Sequence, residues 1–295
     1  MRSLILSKLI KCSSGEYATI VGMKKWHGAV AIVLVVIISF FLVRDTLARI
    51  AWDTYRNAPL AHALNIGDAD LSMKIGNYYF SGGTATSLGG VSSEFNVPRA
   101  KYAFEEAVSI DPSILWGHYQ LARIYFIEGD FERALEEANN ELKENPENLR
   151  ALYVRGLIYG FRELPGDLDR AADDLRRFTL WAPAEWAGYN DLLWILLKQE
   201  KYKEAKEVAQ GALTYAQGGE TNPWLWNSLG VAELNLKEYG AAENSFKKAL
   251  SYAEELTEED WFIAYPGNGR ALAQSGLTQF KIGIRENIQK ALKGG

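Results

Sequence analysis

Hydrophobic and polar positions along the chain fall into three regimes. From Gly28 to Val43 the sequence reads GAVAIVLVVIISFFLV, sixteen residues of which Ser39 alone is clearly polar, and Trp26 and His27 extend the stretch to eighteen. At 1.5 Å per residue this predicts a helix of roughly 24 to 27 Å, just short of a hydrocarbon core of about 30 Å. Between Arg44 and Gly67, Leu47, Ile50, Ala51 and Tyr55 are helically spaced, so a helical stalk over 45–68 is predicted to continue outward until Pro59 interrupts it. Further on, apolar residues at helical spacing come in blocks separated by short polar turns, which predicts an all-α chain of paired helices.

Proline positions reveal a period in those pairs. Pro112 and Pro146 are 34 residues apart and Pro183 follows 37 further on, each closing a helix, a turn and a second helix. The unit starting at Leu115 places Leu121, Ala122 and Tyr125 in its first helix, Gly129 in its turn, and Phe131, Ala134, Ala138 and Pro146 in its second half. The unit starting at Leu149 repeats this with Leu152, Gly156, Tyr159, Ala171, Leu175, Phe178 and Pro183, and with three extra residues in the turn ELPGD. Another starts at Trp186, with Tyr189, Leu192, Leu196, Tyr202, Ala205, Ala209 and Ala212. The clearest starts at Pro223, with Trp226, Leu229, Gly230, Tyr239, Ala242, Phe246 and Ala249. Upstream, Ile75, Gly76 and Tyr79 match a first helix and Ala100, Phe104, Ala107 and Pro112 a second, separated by an insertion within SGGTATSLGGVSSEFNV. Five units therefore cover 69–254. Tyr265, Gly269, Leu272 and Gly276 begin a degenerate sixth unit within 255–295, which ends in a capping helix.

This pattern resembles the tetratricopeptide repeat (TPR) family over about two-thirds of the chain, with Glu141, at a position usually held by Ala, a departure. Small residues at fixed positions let neighbouring helices approach while large ones fill the space between them. No unit buries its apolar face alone, so the resemblance implies a right-handed superhelical solenoid of α-α repeats, its inner surface lined by the first helix of each unit. The family's groove positions fall here on Lys74, Asn77, Trp116, Tyr119, Arg123, Phe126, Arg150, Tyr153, Asn190, Trp194, Trp224 and Asn227, with Phe80, Phe161 and Asn235 beside them. Rings interleaved with Arg, Lys and Asn suit an extended peptide, since rings bury side chains and amides satisfy a backbone. Trp116, Trp194 and Trp224 are equally suited to packing between repeats. The family's carboxylate clamp is largely missing: Met73, Asn77, Gln120, Arg150 and Val154 occupy its positions.

Charge then assigns the two ends of the chain to different environments. Arg2, Lys8, Lys11, Lys24, Lys25 and Arg44 against Glu16 and Asp45 give residues 1–45 a net +4, whereas the whole chain carries −5. The positive-inside rule predicts a cytoplasmic segment 1–25, a transmembrane signal anchor 26–44 in contact with the lipid bilayer, and an extracytoplasmic repeat domain. The localisation expected is the cell (inner) membrane, single-pass. Cleavage near Thr46-Leu47-Ala48 is the alternative, with Arg44 and Asp45 poor company for it. Met23 is an alternative start, and Cys12 a possible acylation site.

Candidate chemistry is sparse. One Cys and the separated His27, His62 and His118 give no metal site, and no nucleophile or phosphate-loop motif occurs. SGGTATSLGG reads as a flexible insertion and Gly267-Asn268-Gly269 as a turn before a helix. Glu136, Glu137, Glu141 and Glu144 read as a solvated helix face. The expectation is no enzyme, no cofactor, no metal and no nucleic acid. What remains is a non-catalytic interaction scaffold for protein or peptide partners, resembling membrane-anchored TPR proteins of envelope assembly or secretion. A cytosol-facing organelle import-type receptor and an accessory subunit of a membrane glycosyltransferase or polymerase stay open.

Overall fold

The computed structural model describes residues 30, 32–40, 43–81, 95–264 and 273–295. Residues 1–25 with Met23 and Cys12, residues 26–29, 31, 41 and 42 of the predicted anchor, the Gly-rich insertion over 82–94, Gly267-Asn268-Gly269, and Tyr265, Gly269 and Leu272 of the sixth unit lie outside them. Among the described residues every regular element is helical and none is a strand. The chain divides into two compact units, Met1–Leu71 and Ser72–Gly295.

In the first unit residues 30 and 32–40 are helical, with their side chains exposed. Among the described residues no helix is long and apolar enough to cross a membrane. Residues 43–53 are helical, and the chain then turns through Arg56, whose φ of 49° is left-handed, into α1 (Ala58–Leu64). Pro59 lies in the first turn of α1, where its missing N–H has no intrahelical role, and the Asn57 side chain caps that turn by accepting from Leu60 N at 3.0 Å. Pro59 thus opens a second helix after the first has ended, and the two form a hairpin. Arg44 Nε donates to Leu64 O at 2.8 Å and its Nη2 to Asn65 O at 3.3 Å, satisfying carbonyls at the end of α1. Asp45 Oδ1 accepts from Ile66 N at 3.0 Å, and Arg49 pairs with Asp68.

Helix α2 (Ala69–Ser81) spans the unit boundary. The second unit continues with α3 (Val97–Ile110), α4 (Gly117–Ile127), α5 (Phe131–Glu144), α6 (Arg150–Arg162), α7 (Asp167–Trp181), α8 (Trp186–Lys198), α9 (Tyr202–Tyr215), α10 (Pro223–Asn235), α11 (Tyr239–Glu255), α12 (Glu258–Ala264) and α13 (Ala273–Gly294). The first helices α4, α6, α8 and α10 touch in succession, and each packs on the second helix of its own unit. Close approach explains the small residues. A Cβ on Gly156 would lie 2.8 Å from Leu175, and one on Gly230 2.6 Å from Phe246. Ala171, Leu175, Leu192, Ile195, Leu196, Ala205, Leu225 and Leu229 form one continuous core across three repeats. Phe246, Ala249 and Ala253 of α11 form another core with Ile284 and Ala291 of α13.

Turns inside the units share one geometry but not one residue. Gly129 between α4 and α5 has φ 77°, and Glu200 and Lys237 hold the equivalent places after α8 and α10 at 57° and 63°. Only the first is a glycine, so the turn was plain in one unit and hidden in two.

The acidic run on α5 departs from the solvated face expected of it. Glu141 is fully buried. Its Oε1 accepts from Trp116 N and its Oε2 from Tyr119 N, both at 3.1 Å, and Asn148 Nδ2 donates to Oε1 at 2.7 Å. Trp116 is the N-cap of α4, left-handed with φ 73°, and its side chain caps nothing. A carboxylate from the antiparallel helix therefore supplies the acceptors that the cap residue lacks. Glu137 is also engaged, 2.6 Å from His118 Nδ1, and this hydrogen bond holds the His118 pKa above the ordinary imidazole value. Glu136 and Glu144 remain exposed.

Candidate functional site

Most of the residues assigned to the groove from the repeat register meet across the first helices, in four groups. At the N-terminal end Lys74 is exposed, and Asn77 accepts from Gln120 Nε2 at 2.7 Å. The Arg123 guanidinium lies 4.7 Å from the Phe80 ring and 5.6 Å from the Tyr119 ring, while its Nη1 donates to Gln120 Oε1 at 2.8 Å. Trp116 meets Tyr119 edge-on at 5.2 Å, but as the N-cap it stands before α4 rather than on its face.

A ladder of rings follows. Phe126 packs on Phe161 at 5.3 Å, Phe161 on Trp194 at 4.9 Å, and Lys198 Nζ closes the ladder 4.5 Å from the Trp194 ring. Aromatic contacts of this kind stabilise beyond their buried area, so these rings serve packing and line a surface together. Arg150 is occupied by an ion pair with Glu185, and it lies 5.8 Å from the Trp181 ring.

The fourth group centres on a residue absent from the expected set. Asp191 occupies α8 beside Asn190. Its Oδ2 accepts from Tyr153 Oη at 2.6 Å and its Oδ1 from Asn190 Nδ2 at 3.3 Å. No cation pairs with it among the described residues, and burial pushes its pKa up to about 6. Asp167 is the contrast. It is more deeply buried, yet Arg162 donates to it through Nε at 2.8 Å and Nη2 at 3.0 Å and holds its carboxyl below the ordinary range. The register that selected Asn190 and Trp194 also places Asp191 at a groove position, so the signal for it was present in the sequence.

Trp224 does not line an open surface. It is 8% exposed and stacks on Trp186 at 5.0 Å and on Phe280 at 5.8 Å, with Trp261 also against it. Its ring fills the space between α8, α10 and the C-terminal helices, so its contribution is packing. Asn227, one turn along α10, is different: its Oδ1 is buried without a hydrogen-bond partner among the described residues. A buried amide oxygen left unpaired costs free energy.

On the second-helix side lies an open cavity of about 670 Å³ between α9, α10 and α11, lined by Trp226, Leu229, Glu233, Ser245, Lys248 and Tyr252 among others. Its origin is a substitution in the repeat. Glu233 stands where earlier units carry Tyr125 and Tyr159, and it is buried with Ser245 Oγ donating to it at 2.6 Å. Among the described residues no group of His, Cys, Asp and Glu is arranged to hold a metal ion.

With the paired helices and their repeat geometry in view, the comparisons with known proteins converge. A family model described as a tetratricopeptide repeat matches residues 225–256, the unit carried by α10 and α11. Residues 225–256 therefore carry a tetratricopeptide repeat, and the helical repeats around them share that fold. It is similar to a tetratricopeptide repeat protein from Parabacteroides merdae, with TM-score 0.54 and 16% identity over 86% of this chain and 99% of that one. It is also similar to YrrB, described as a TPR protein with an unusual peptide-binding site, with TM-score 0.53 and 17% identity over 67% and 93% of the two chains. Curated relatives include the RNA polymerase-associated protein CTR9 of Caenorhabditis elegans, 23% identical over 68% of this chain and 18% of that protein. The mitochondrial tetratricopeptide repeat protein 19 homolog of Drosophila melanogaster is 22% identical over 62% of this chain and 43% of its own. The chain spans less than half the length of either relative. The structural likenesses show the TPR fold, which is a scaffold for binding protein or peptide partners.

Proposed function

We propose that this TPR protein is a non-catalytic scaffold, anchored in the cell membrane through residues 26–44, that holds an extended protein segment against its first-helix face outside the cytoplasm in support of envelope assembly or secretion. The observation that carries the binding half is the ladder of Phe126, Phe161 and Trp194 across successive first helices, in which Phe161 stays exposed. YrrB, with a similar fold, is described as having a peptide-binding site. The anchor half is supported by the run Gly28–Val43, and by the helical residues 32–40, which expose Ile32, Val33, Leu34, Val35 and Val36 on every side of the helix. A helix apolar all round calls for an apolar surrounding. Anchoring also raises the effective concentration of the scaffold for partners in the same membrane.

Two measurements test the two halves. Proximity labelling from a C-terminal tag on the full chain, with protease accessibility of the same tag, is expected to find the tag outside the cytoplasm and to label exported proteins. A cytosolic tag overturns the topology and favours the organelle-receptor reading, for which the mitochondrial name of the Drosophila relative is the supporting observation. Phe161→Ala, at an exposed ring of this face, is expected to reduce capture of those labelled partners at least tenfold while the chain stays folded by circular dichroism. Unchanged capture would remove this face from the proposal.

A further inference from the structure

Along the first-helix face, two of the charged side chains are neutralised from within the chain. Arg150 is paired with Glu185, and Lys198 with Glu163. Elsewhere in the repeats Asp167 is answered by Arg162, Asp174 by Arg155, and Glu141 by two backbone N–H groups and Asn148, while Glu233, beside the second-helix cavity, accepts from Ser245 Oγ. Asp191, at a groove position, has a neutral donor on each oxygen and no cation among the described residues: Tyr153 Oη lies at 2.6 Å and Asn190 Nδ2 at 3.3 Å. These two bonds fix the carboxylate's orientation while leaving each oxygen a free lone pair. The residue as a whole is partly exposed while its carboxyl is largely desolvated. Its surroundings also suit the stem of a long side chain. The Tyr153 ring is braced against Phe178 at 4.9 Å, and Trp194 stands one turn along α8 in the ring ladder with Phe161.

Resting on the groove reading above, we propose that Asp191, with Tyr153 and Asn190 as its positioning residues, is a specificity site for a basic side chain, Lys or Arg, carried by an extended segment of the protein partner. The argument is charge complementarity. A preorganised carboxylate without a cation, in a partly desolvated site, pairs with an arriving guanidinium or ammonium far more strongly than an exposed one. Because the site is built at one place along the face, it sets the position of the partner segment as well as its composition. The raised pKa of the free carboxyl agrees with a group whose counter-charge comes from outside the chain.

A positional-scanning library of nonapeptides, presented to the full-length protein in detergent, tests this directly. The wild-type protein is expected to enrich Lys and Arg at one peptide position by about tenfold or more over Gln. Asp191→Asn, which keeps the side chain's shape, is expected to lose that preference while retaining the apolar preferences at other positions. Peptides that bind with no basic preference, or a preference that survives in Asp191→Asn, would overturn the Asp191 assignment and leave the groove standing. No peptide binding at any position, with the protein folded by circular dichroism, would overturn both.

Discussion

Asp191 and Glu141 show how two carboxylates of one repeat array serve opposite ends. The folded chain raises the Asp191 pKa to about 6 from an ordinary value of 3.8. Between those values the folded state keeps a proton that the unfolded state has lost. Stability therefore falls as pH rises through this window and stays lower above it. Asp191→Asn should remove the penalty, raising stability by on the order of 1–3 kcal/mol at about pH 7.5 and by almost nothing at about pH 3.5, as read from urea midpoints. An equal gain at both pH values would mean that the charge is not the cause. Glu141 works the other way, since it answers the Trp116 and Tyr119 N–H groups and Asn148. Glu141→Ala leaves these buried donors unsatisfied and should cost about 2–4 kcal/mol, whereas Glu144→Ala, whose ion pair with Lys143 is at the surface, should leave stability nearly unchanged. Comparable losses in chemical denaturation would count against the capping role.

Among the helices, the repeat rules explain the regular packing and bear on the open cavity beside α10. Gly156 against Leu175 and Gly230 against Phe246 are the same close approach made twice, so their spacing was readable in advance. The cavity beside α10 is where the pattern fails: Glu233 replaces a ring that Tyr125 and Tyr159 supply elsewhere, and burial pushes its carboxyl pKa up. Glu233→Tyr should fill part of that space and remove a buried acid, raising the thermal midpoint through roughly 1 kcal/mol of added stability at neutral pH. A lower midpoint would show that the acid, with Ser245, is structurally required. The turns at Glu200 and Lys237 make the same point from the backbone side: the left-handed position is set by the helix-turn-helix geometry, whichever residue occupies it.

Over the whole second unit, contacts run mainly between neighbouring helices, so stability is expected to be local along the array. Ile284 of α13 is 1% exposed and packs into the core formed by Phe246, Ala249 and Ala253. Ile284→Asp should uncap that end at a cost of about 3 kcal/mol or more. Hydrogen exchange should then show α10 to α13 losing protection while α4 to α6 keep theirs. A uniform loss across all helices would mean that the unit unfolds as one block.

The sequence by itself determined the helical class and the repeat register, because a 34-residue period with small and large residues at fixed places leaves few alternative packings. It also supplied the apolar run and basic flank on which the anchor proposal stands. Only the tertiary structure decided what those positions do. Trp224 and Asn227 are three residues apart on one helix, yet one is stacked away among aromatic rings and the other keeps a buried, unpaired oxygen. Glu141 is a buried cap within an acidic run, and Arg44 and Asp45 fasten the helix before Pro59 to the end of α1. The reason is physical. Periodicity reports which face of a helix turns inward, but whether a polar group finds its partner depends on side chains brought together from distant parts of the chain.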